Sequence, residues 1–237
     1  YEPISVTDAT TGLTAYSSNP FIVTFPTLQV IDATSFDAKV DFTTGTTPYT
    51  SAIGDIDGDS KPDLIVANTA SNTISVFRNT STSGSISASS FALKVDFSTG
   101  ATPDGVAIGD VDGDGKPDLV VANGGNTVSV LRNISTSGSI TTSSFEPKVD
   151  FPAGSTPRSV AIDDIDGDGK PDLVVTNGDG NNVSVFRNTC TSGAITSSSF
   201  ASKVDFLAGT RPVSVAISDL DGDGKRDLVI VSEASNT

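Results

Sequence analysis

Apolar and polar positions follow one pattern that recurs along the chain. Each repeat has an alternating run, such as Val160-Ala161-Ile162, then an acidic segment, and then a continuous apolar run such as 119–122. Alternation predicts a half-buried strand, and a continuous apolar run predicts a strand that is buried on both faces. A third run, 128–132, alternates again. A fourth run begins and ends with Phe, and it recurs at 36–42, 91–97, 145–151 and 200–206. The pattern therefore predicts four short strands in each repeat.

An acidic nonapeptide separates the first and second predicted strands. The copy at 110–118 has the sequence Asp-Val-Asp-Gly-Asp-Gly-Lys-Pro-Asp, and further copies occupy 55–63, 164–172 and 219–227. Successive copies begin 55, 54 and 55 residues apart. A near-constant period of this length is the signature of a repeat array. Every copy carries Asp at positions 1, 3, 5 and 9, which an acidic, solvated turn would not require.

These side chains suit a calcium ion. Oxygen ligands alternate along the segment as in the first part of an EF-hand loop, and the residue at position 7 can offer its main-chain carbonyl. Without a cation, four carboxylates within nine residues would repel one another. Position 12 holds Val or Ile instead of Glu, and predicted strands flank the loop, which argues against an EF-hand proper. The predicted ligands, five in each loop, are Asp55, Asp57, Asp59, Lys61, Asp63, Asp110, Asp112, Asp114, Lys116, Asp118, Asp164, Asp166, Asp168, Lys170, Asp172, Asp219, Asp221, Asp223, Lys225 and Asp227.

The first copy has Ser60 at position 6, where the others have Gly. Glycine adopts the positive φ of a sharp turn without the steric cost that other residues carry. We therefore expect the first loop to be more strained or to bind a cation more weakly.

The segment Val-Ala-Ile-x-Asp-x-Asp-Gly-Asp-Gly-Lys-Pro-Asp-Leu-Val-Val resembles the FG-GAP/VCBS repeat of integrin-α-like β-propellers, over residues 36–237. The resemblance implies an all-β fold, a β-propeller of four-stranded blades, with the calcium loop between the first and second strands. About 3.5 blades, at 36–97, 98–151, 152–206 and 207–237, would form part of a larger closed ring. One Ca²⁺ per repeat gives about four ions.

The two ends of the chain depart from the repeat. Residues 1–30 predict strands at 4–7 and 20–25, which resemble the last two strands of an IPT/TIG immunoglobulin-like domain; the alternative is an N-terminal strand pair packed on the propeller. The 36–42 strand belongs to a blade whose other three strands lie elsewhere, and the last repeat stops halfway. We expect the remainder of the same polypeptide, or another chain, to close the ring.

Composition narrows the possible partners. The formal charge is −15, but the loops contain sixteen of the twenty-nine acidic residues, so the other thirteen nearly balance the fourteen Lys and Arg. No basic patch is available to neutralise phosphates, which argues against nucleic acid. The single cysteine, Cys190, cannot form an intrachain disulfide. No transmembrane run is visible, so we expect no direct membrane insertion.

The absence of histidine excludes a Ser-His-Asp triad and His-ligated zinc within this chain. We expect a non-catalytic calcium-binding module, extracellular or on the cell surface, for adhesion or for binding a protein or glycan ligand. Millimolar extracellular calcium suits weak sites of this type. The alternatives are an accessory region of a large secreted polysaccharide-degrading enzyme and a structural spacer in a long surface protein. Ligand contacts are expected at positions that vary between repeats: Tyr49, Asp104, Arg158, Asp179 and Arg211.

Overall fold

The computed structural model describes residues 5–7, 14–16, 35–82, 84–191 and 193–235. Contacts divide the chain into two compact units, Tyr1–Lys39 and Val40–Thr237. In the first unit, β1 (Ser5–Thr7) pairs antiparallel with β2 (Thr14–Tyr16). The predicted 4–7 strand thus largely coincides with β1. The predicted 20–25 strand lies outside the described residues.

The described part of the second unit contains fourteen strands in four antiparallel sheets. The first sheet contains β3 (Pro48–Gly54), β4 (Asp63–Asn68), β5 (Thr73–Phe77) and β6 (Val95–Ser98). The second contains β7 (Pro103–Gly109), β8 (Asp118–Asn123), β9 (Thr127–Leu131) and β10 (Val149–Pro152). The third contains β11 (Pro157–Asp163), β12 (Asp172–Asn177), β13 (Asn182–Phe186) and β14 (Val204–Leu207). The fourth contains β15 (Pro212–Ser218) and β16 (Asp227–Ser232).

The strands of each sheet are ordered as they occur in the chain. The first strands lie side by side, with β3 against β7, β7 against β11, and β11 against β15. This arrangement of four-stranded meanders is that of propeller blades. The all-β fold and the acidic loop between the first and second strands are confirmed. The fourth sheet has two strands among the described residues, and the ring is not closed within this chain.

The fourth strand of each blade is shorter than the sequence predicts. Residues 36–42 form no strand, and the later copies begin at Val95, Val149 and Val204. Among the described residues, no strand is paired with the backbone at 36–42. Phe42 nevertheless packs edge-on against Phe91 with ring centroids 5.1 Å apart, as Phe97 packs on Phe145 at 4.8 Å. Its side chain therefore occupies the position expected for an outer strand.

The second strand of the second and third sheets is fully buried because it packs between two neighbouring sheets. In β8, Leu119 and Val121 belong to the core shared with the first sheet, whereas Val120 and Ala122 belong to the core shared with the third. Alternate residues of a strand point to opposite faces, so a continuous apolar run fills both cores. The core is therefore a series of layers between sheets.

A buried polar ladder crosses each complete sheet. In the second sheet, the Asn123 Nδ2 group donates to the Ser129 hydroxyl at 2.9 Å, and that hydroxyl donates to Asp150 at 2.6 Å. Lys148 completes the ladder by donating to Asp150. In the first sheet, burial favours the neutral carboxyl of Asp96, but hydrogen bonds from its Lys and Ser partners outweigh this effect and lower its pKa. The recurring Asp and Lys of the fourth strand thus have a structural role.

None of the described residues forms a helix that is long and apolar enough to cross a membrane.

The layered core predicts that Leu119→Ala destabilises the protein more than Leu64→Ala. Leu119 is fully buried, whereas Leu64, its equivalent in β4, is partly exposed. We expect a loss of about 2–5 kcal/mol in the unfolding free energy for Leu119→Ala, the usual cost of a cavity at a buried Leu. Urea denaturation of both variants measures the difference. Equal losses would contradict the layered core.

Candidate metal centre

The acidic loops occupy the same place in all four sheets, where the first strand turns back into the second. In the first sheet, Gly54, the last residue of β3, pairs with Asp63, the first residue of β4. The equivalent pairs in the next two sheets are Gly109 with Asp118 and Asp163 with Asp172. This register places the ninth loop residue opposite the residue that precedes the first. The loop is thereby closed at its base by the sheet.

The loop backbone turns through left-handed conformations at positions 4 and 6. Position 6 has φ of 88° at Gly115, 83° at Gly169 and 86° at Gly224. Ser60 adopts the same conformation in the first loop, with φ of 68°. A non-glycine residue in this region carries a steric cost of roughly 1 kcal/mol. The expected strain in the first loop is therefore present.

Main-chain N–H groups hold the carboxylates of positions 1, 3 and 5. In the second loop, Asp110 accepts from the N–H groups of Asp114 at 3.1 Å and Gly115 at 2.9 Å. Asp112 also accepts from Asp114 at 3.1 Å, and Asp114 accepts from Lys116 at 2.9 Å. These bonds orient the carboxylates through contacts within the loop itself.

The ninth residue joins the loop to the third strand. Asp118 accepts from Val111 N–H at 3.0 Å and from Asn133 N–H at 2.8 Å, one bond on each carboxylate oxygen. Its side chain is fully buried. Burial is the largest influence on this carboxyl and raises its pKa to about 7 despite the two hydrogen bonds. Burial likewise raises the pKa of Asp63 and Asp172 in the neighbouring loops. A positive charge close to such a group favours its ionised form.

Positions 1, 3 and 9 of each loop bring one carboxylate oxygen apiece to within 4.8 Å of one another. Calcium binds oxygen at 2.3–2.6 Å, so oxygens up to about 5 Å apart can share one ion. The four groups are Asp55, Asp57 and Asp63; Asp110, Asp112 and Asp118; Asp164, Asp166 and Asp172; and Asp219, Asp221 and Asp227. Each group could hold a metal ion.

The other two predicted ligands of each loop are placed differently. Position 5 (Asp59, Asp114, Asp168 and Asp223) lies outside the three-carboxylate groups. One oxygen of each position-5 carboxylate accepts the N–H of the Lys at position 7. The main-chain carbonyl of that Lys stays a predicted ligand.

Asp57 in the first loop shows whether these residues suit a metal ion. The Asp57 side chain is 3% exposed, and its Oδ2 atom has no hydrogen-bond partner among the described residues. Its pKa is raised, first by burial and then by the neighbouring carboxylate of Asp59. A buried oxygen of this kind requires a partner. A cation at the centre of the three carboxylates would provide one, so these residues fit a metal ion.

An arginine at the end of the third strand partly neutralises each of the first three loops. Arg132 contacts Asp112 at 2.5 Å and Asp114 at 2.6 Å, and the hydrogen bond to Asp112 is the main reason that its pKa is raised. Arg187 makes the equivalent contacts at 2.7 and 3.2 Å. Arg78 reaches Asp59 alone, at 3.9 Å. Of these three loops, the first therefore has the weakest contact with its arginine.

The Asn that follows each arginine has a role that the sequence pattern did not reveal. Asn133 donates to the Pro117 carbonyl at 2.9 Å and to the Ile56 carbonyl of the preceding sheet at 2.7 Å, while its own carbonyl accepts from Ser135. Asn79 and Asn133 occupy glycosylation sequons, but both side chains are buried. The recurrence of this Asn 15 or 16 residues after the last loop Asp was the signal available in the sequence.

The variable residues lie at the opposite edge of the sheets, where Gly124 N–H bonds the Thr102 carbonyl at 2.8 Å. Asp104, 5% exposed, pairs with Arg158 of the next sheet at 3.1 Å. Tyr49 and Arg158 line a cleft of about 290 Å³ along the first strands. The other two variable residues make separate contacts, Asp179 with Thr156 at 2.6 Å and Arg211 with Glu233 at 3.7 Å.

Comparison with known structures supports the fold. A chain from the crystal structure of BBS1N in complex with ARL6DN, soaked with mercury, is 16% identical with a TM-score of 0.53, covering 83% of this chain and 56% of that one. The same complex soaked with lead gives 18% identity, 83% and 58% coverage and a TM-score of 0.49. The Photorhabdus luminescens Tc holotoxin pore gives 23% identity, 76% and 8% coverage and a TM-score of 0.43.

At 16% identity, the likeness to the first of these structures concerns the β-propeller fold alone. The chain spans little more than half the length of the first structure that it matches. No curated protein sequence matches it.

The family match includes the acidic loops. The FG-GAP-like repeat matches three overlapping stretches, 55–121, 110–175 and 164–230, each of which begins at the first Asp of a loop. The matches begin at residue 55, so the IPT/TIG resemblance of residues 1–30 is not borne out. The matched stretches cover most of the chain and contain all four acidic loops. This chain belongs to the FG-GAP-like repeat family.

Proposed function

We propose that this chain is a calcium-binding, non-catalytic β-propeller module that acts outside the cell in adhesion or ligand binding. The observation that carries the proposal is the gathering of three carboxylates at one place in each of four loops. Ligand sets made of oxygen alone suit hard cations, and calcium accepts irregular sets of six to eight oxygens. The nearby Asp at position 5 and the carbonyl at position 7 would supplement the three carboxylates.

In this proposal, the carboxylates at positions 1, 3 and 9 hold the ion, which supplies the positive charge that they lack. The main-chain N–H groups orient these carboxylates, and the ninth Asp transmits the arrangement to the third strand through Asn79, Asn133 or Asn188. Binding to the folded state alone stabilises it by RT ln(1 + [Ca²⁺]/Kd), about 2.7 kcal/mol per site at a hundred times Kd. The ions would thus stabilise the blades.

The carboxyl groups with raised pKa values have structural roles, which supports a non-catalytic module. Among the described residues, the Asp side chains with raised pKa values are four loop residues and Asp104, which pairs with Arg158. Each therefore has a position explained by folding or cation binding. Perturbed pKa values otherwise point to catalytic sites.

The edge opposite the loops supports ligand binding. Its residues differ between repeats, and Tyr49 is 58% exposed beside the cleft that Arg158 lines. An exposed aromatic ring near a guanidinium and the hydroxyls of Ser51, Ser159 and Ser214 can contact either a glycan or a protein surface. Extracellular calcium is in the millimolar range that weak sites require, which supports a secreted or cell-surface location.

Calcium should raise the melting temperature of this chain. A gain of about 2.7 kcal/mol at one site corresponds to roughly 5–10 °C for a domain of this size. Differential scanning calorimetry in EDTA and in millimolar CaCl₂ measures the shift, and isothermal titration counts the ions. MgCl₂ is the matched control, since magnesium gives up its water reluctantly and should shift the melt less. No shift and no binding heat would overturn the calcium proposal.

Asp57→Asn should have opposite effects with and without calcium. In EDTA, the variant should melt at or above the wild-type temperature, because it removes a buried carboxylate with an unpartnered oxygen. In calcium, it should lose part of the stabilisation and one bound ion. Asp112→Asn is the control: Arg132 pairs with Asp112, so this variant should be less stable in both conditions. Identical behaviour of the two variants in EDTA would contradict this account.

Ligand binding should depend on the edge opposite the loops. Screening on glycan and protein arrays should give a hit whose signal falls at least tenfold in Tyr49→Ala, as expected for loss of an aromatic contact. Leu93→Ala, at another exposed apolar side chain, is the control and should bind normally. No hit on either array would argue for a spacer.

A further inference from the structure

In the second and third repeats, the Ser/Thr-rich hairpin after the third strand lies over the acidic loop of the preceding repeat. In the second repeat, this hairpin (134–144) contacts the first loop: Ser137 donates to the Gly58 carbonyl at 3.0 Å, and Ser135 donates to the Ile56 carbonyl at 3.3 Å. Asn133, directly before the hairpin, adds its bond to the same Ile56 carbonyl. The hairpin thus holds the main chain of a loop nearly eighty residues away.

The third repeat reproduces this arrangement on the second loop. Asn188 donates to the Val111 carbonyl at 2.8 Å, and Gly193 N–H donates to the Asp112 carbonyl at 3.2 Å. Val111 is buried in one cluster with Cys190 and Ile195 of this hairpin, residues 189–199, of which all but 192 are described. Both polar and apolar contacts therefore join a hairpin to the loop of the repeat before it.

The loops that a hairpin covers are more buried than the loops without one. The third residue of each covered loop, Asp57 or Asp112, is 3% exposed. Asp166 and Asp221, the equivalent residues of the other two loops, are exposed, and no hairpin in the described part of the chain lies over them. Because the loops have nearly the same sequence, the difference in burial comes from the neighbouring repeat.

We propose that each hairpin is a lid on the cation loop of the preceding repeat, so that cation binding in one repeat holds the next repeat's hairpin closed. The lid bonds the main-chain carbonyl of position 2 in both loops, together with that of position 4 in the first loop or position 3 in the second. These positions flank or include the third residue, whose side chain belongs to the three-carboxylate group. A shift of the loop on cation binding therefore changes the groups to which the lid bonds. Coupling between two such states is reciprocal: a closed lid also strengthens cation binding.

Exclusion of water is a second contribution to the coupling between lid closure and cation binding. A lid that keeps solvent from the carboxylates lowers the local dielectric and strengthens their attraction to a cation. Without the cation, the same lid buries carboxylates that repel one another, which favours its opening. The inference rests on the proposed cation binding, and it adds that the effect of each ion extends into the following repeat.

Cys190 reports whether the lid of the third repeat is closed. Its thiol is 6% exposed and lies against the Ser199 carbonyl at 3.6 Å, so a thiol reagent must wait for the hairpin to open. The rate of reaction with a chromogenic disulfide reagent is measured in EDTA and in millimolar CaCl₂. We expect calcium to slow labelling about tenfold, within the 5–150-fold range of typical site-to-site coupling.

Two matched variants test which loop the lid senses. Asp110→Ala alters the first ligand of the second loop, and Asp55→Ala makes the same change in the first loop, where the side chain has the same main-chain partners. We expect Asp110→Ala to abolish the protection of Cys190 by calcium and Asp55→Ala to preserve it. Equal loss in both variants would show that calcium acts through overall stability, and the lid proposal would then fail.

Moving the cysteine to the hairpin of the second repeat provides an independent test of the same proposal. Ser135 occupies the position of Cys190 in the second repeat and is equally buried. In a Ser135→Cys, Cys190→Ser protein, labelling should become sensitive to Asp55→Ala and insensitive to Asp110→Ala. Persistent sensitivity to Asp110→Ala alone would overturn the proposal.

Isothermal titration with CaCl₂ separates the two levels of inference. No calcium binding would overturn the proposed function together with the lid. Calcium binding without any change in the labelling of Cys190 would overturn the lid alone.

Discussion

The repulsion among carboxylates in each acidic loop is the constraint on which the rest of this structure depends. Four Asp side chains lie within nine residues, and three of them place oxygens within 4.8 Å. Main-chain N–H groups offset part of this repulsion, and arginines at the third strand offset more in the first three loops. The ninth Asp, whose two oxygens join the loop to the third strand, makes the geometry of three strands depend on one carboxylate.

The repeats are alike in sequence but are not equivalent in environment. Two loops are covered by a neighbouring hairpin and two are exposed, and each arginine is paired to a different extent. Two departures from the repeat compensate each other. Asp163 replaces the Gly found in the two preceding repeats, Arg226 replaces a Pro, and these residues pair at 3.1 Å between the third and fourth sheets. A half-exposed pair of this kind contributes up to about 1 kcal/mol. Asp163 therefore has a structural explanation.

The acidic loops and the variable turns lie at opposite ends of the strands, and the two edges of the sheets therefore differ in chemistry. One edge has nearly invariant loops whose carboxylates are oriented by main-chain N–H groups and, in the first three loops, contacted by an arginine. The other has turns whose residues vary from repeat to repeat, including the Asp104–Arg158 pair between sheets. A module can thus keep its stability at one edge while the other edge changes.

The sequence by itself determined the all-β fold, the strand order and the positions of the acidic loops, because alternation, apolar runs and repeat period are local properties of the chain. It placed Asp110, Asp112 and Asp118 in one loop but could not show that these three gather while Asp114 turns toward Arg132. Only the tertiary structure decided that Asn133 bonds a carbonyl 77 residues away, that hairpins cover particular loops, and that 36–42 forms no strand. Each of these depends on which sheet lies next to which. A repeating sequence gives nearly the same local pattern everywhere, whereas burial and pairing follow from the neighbour that each repeat has.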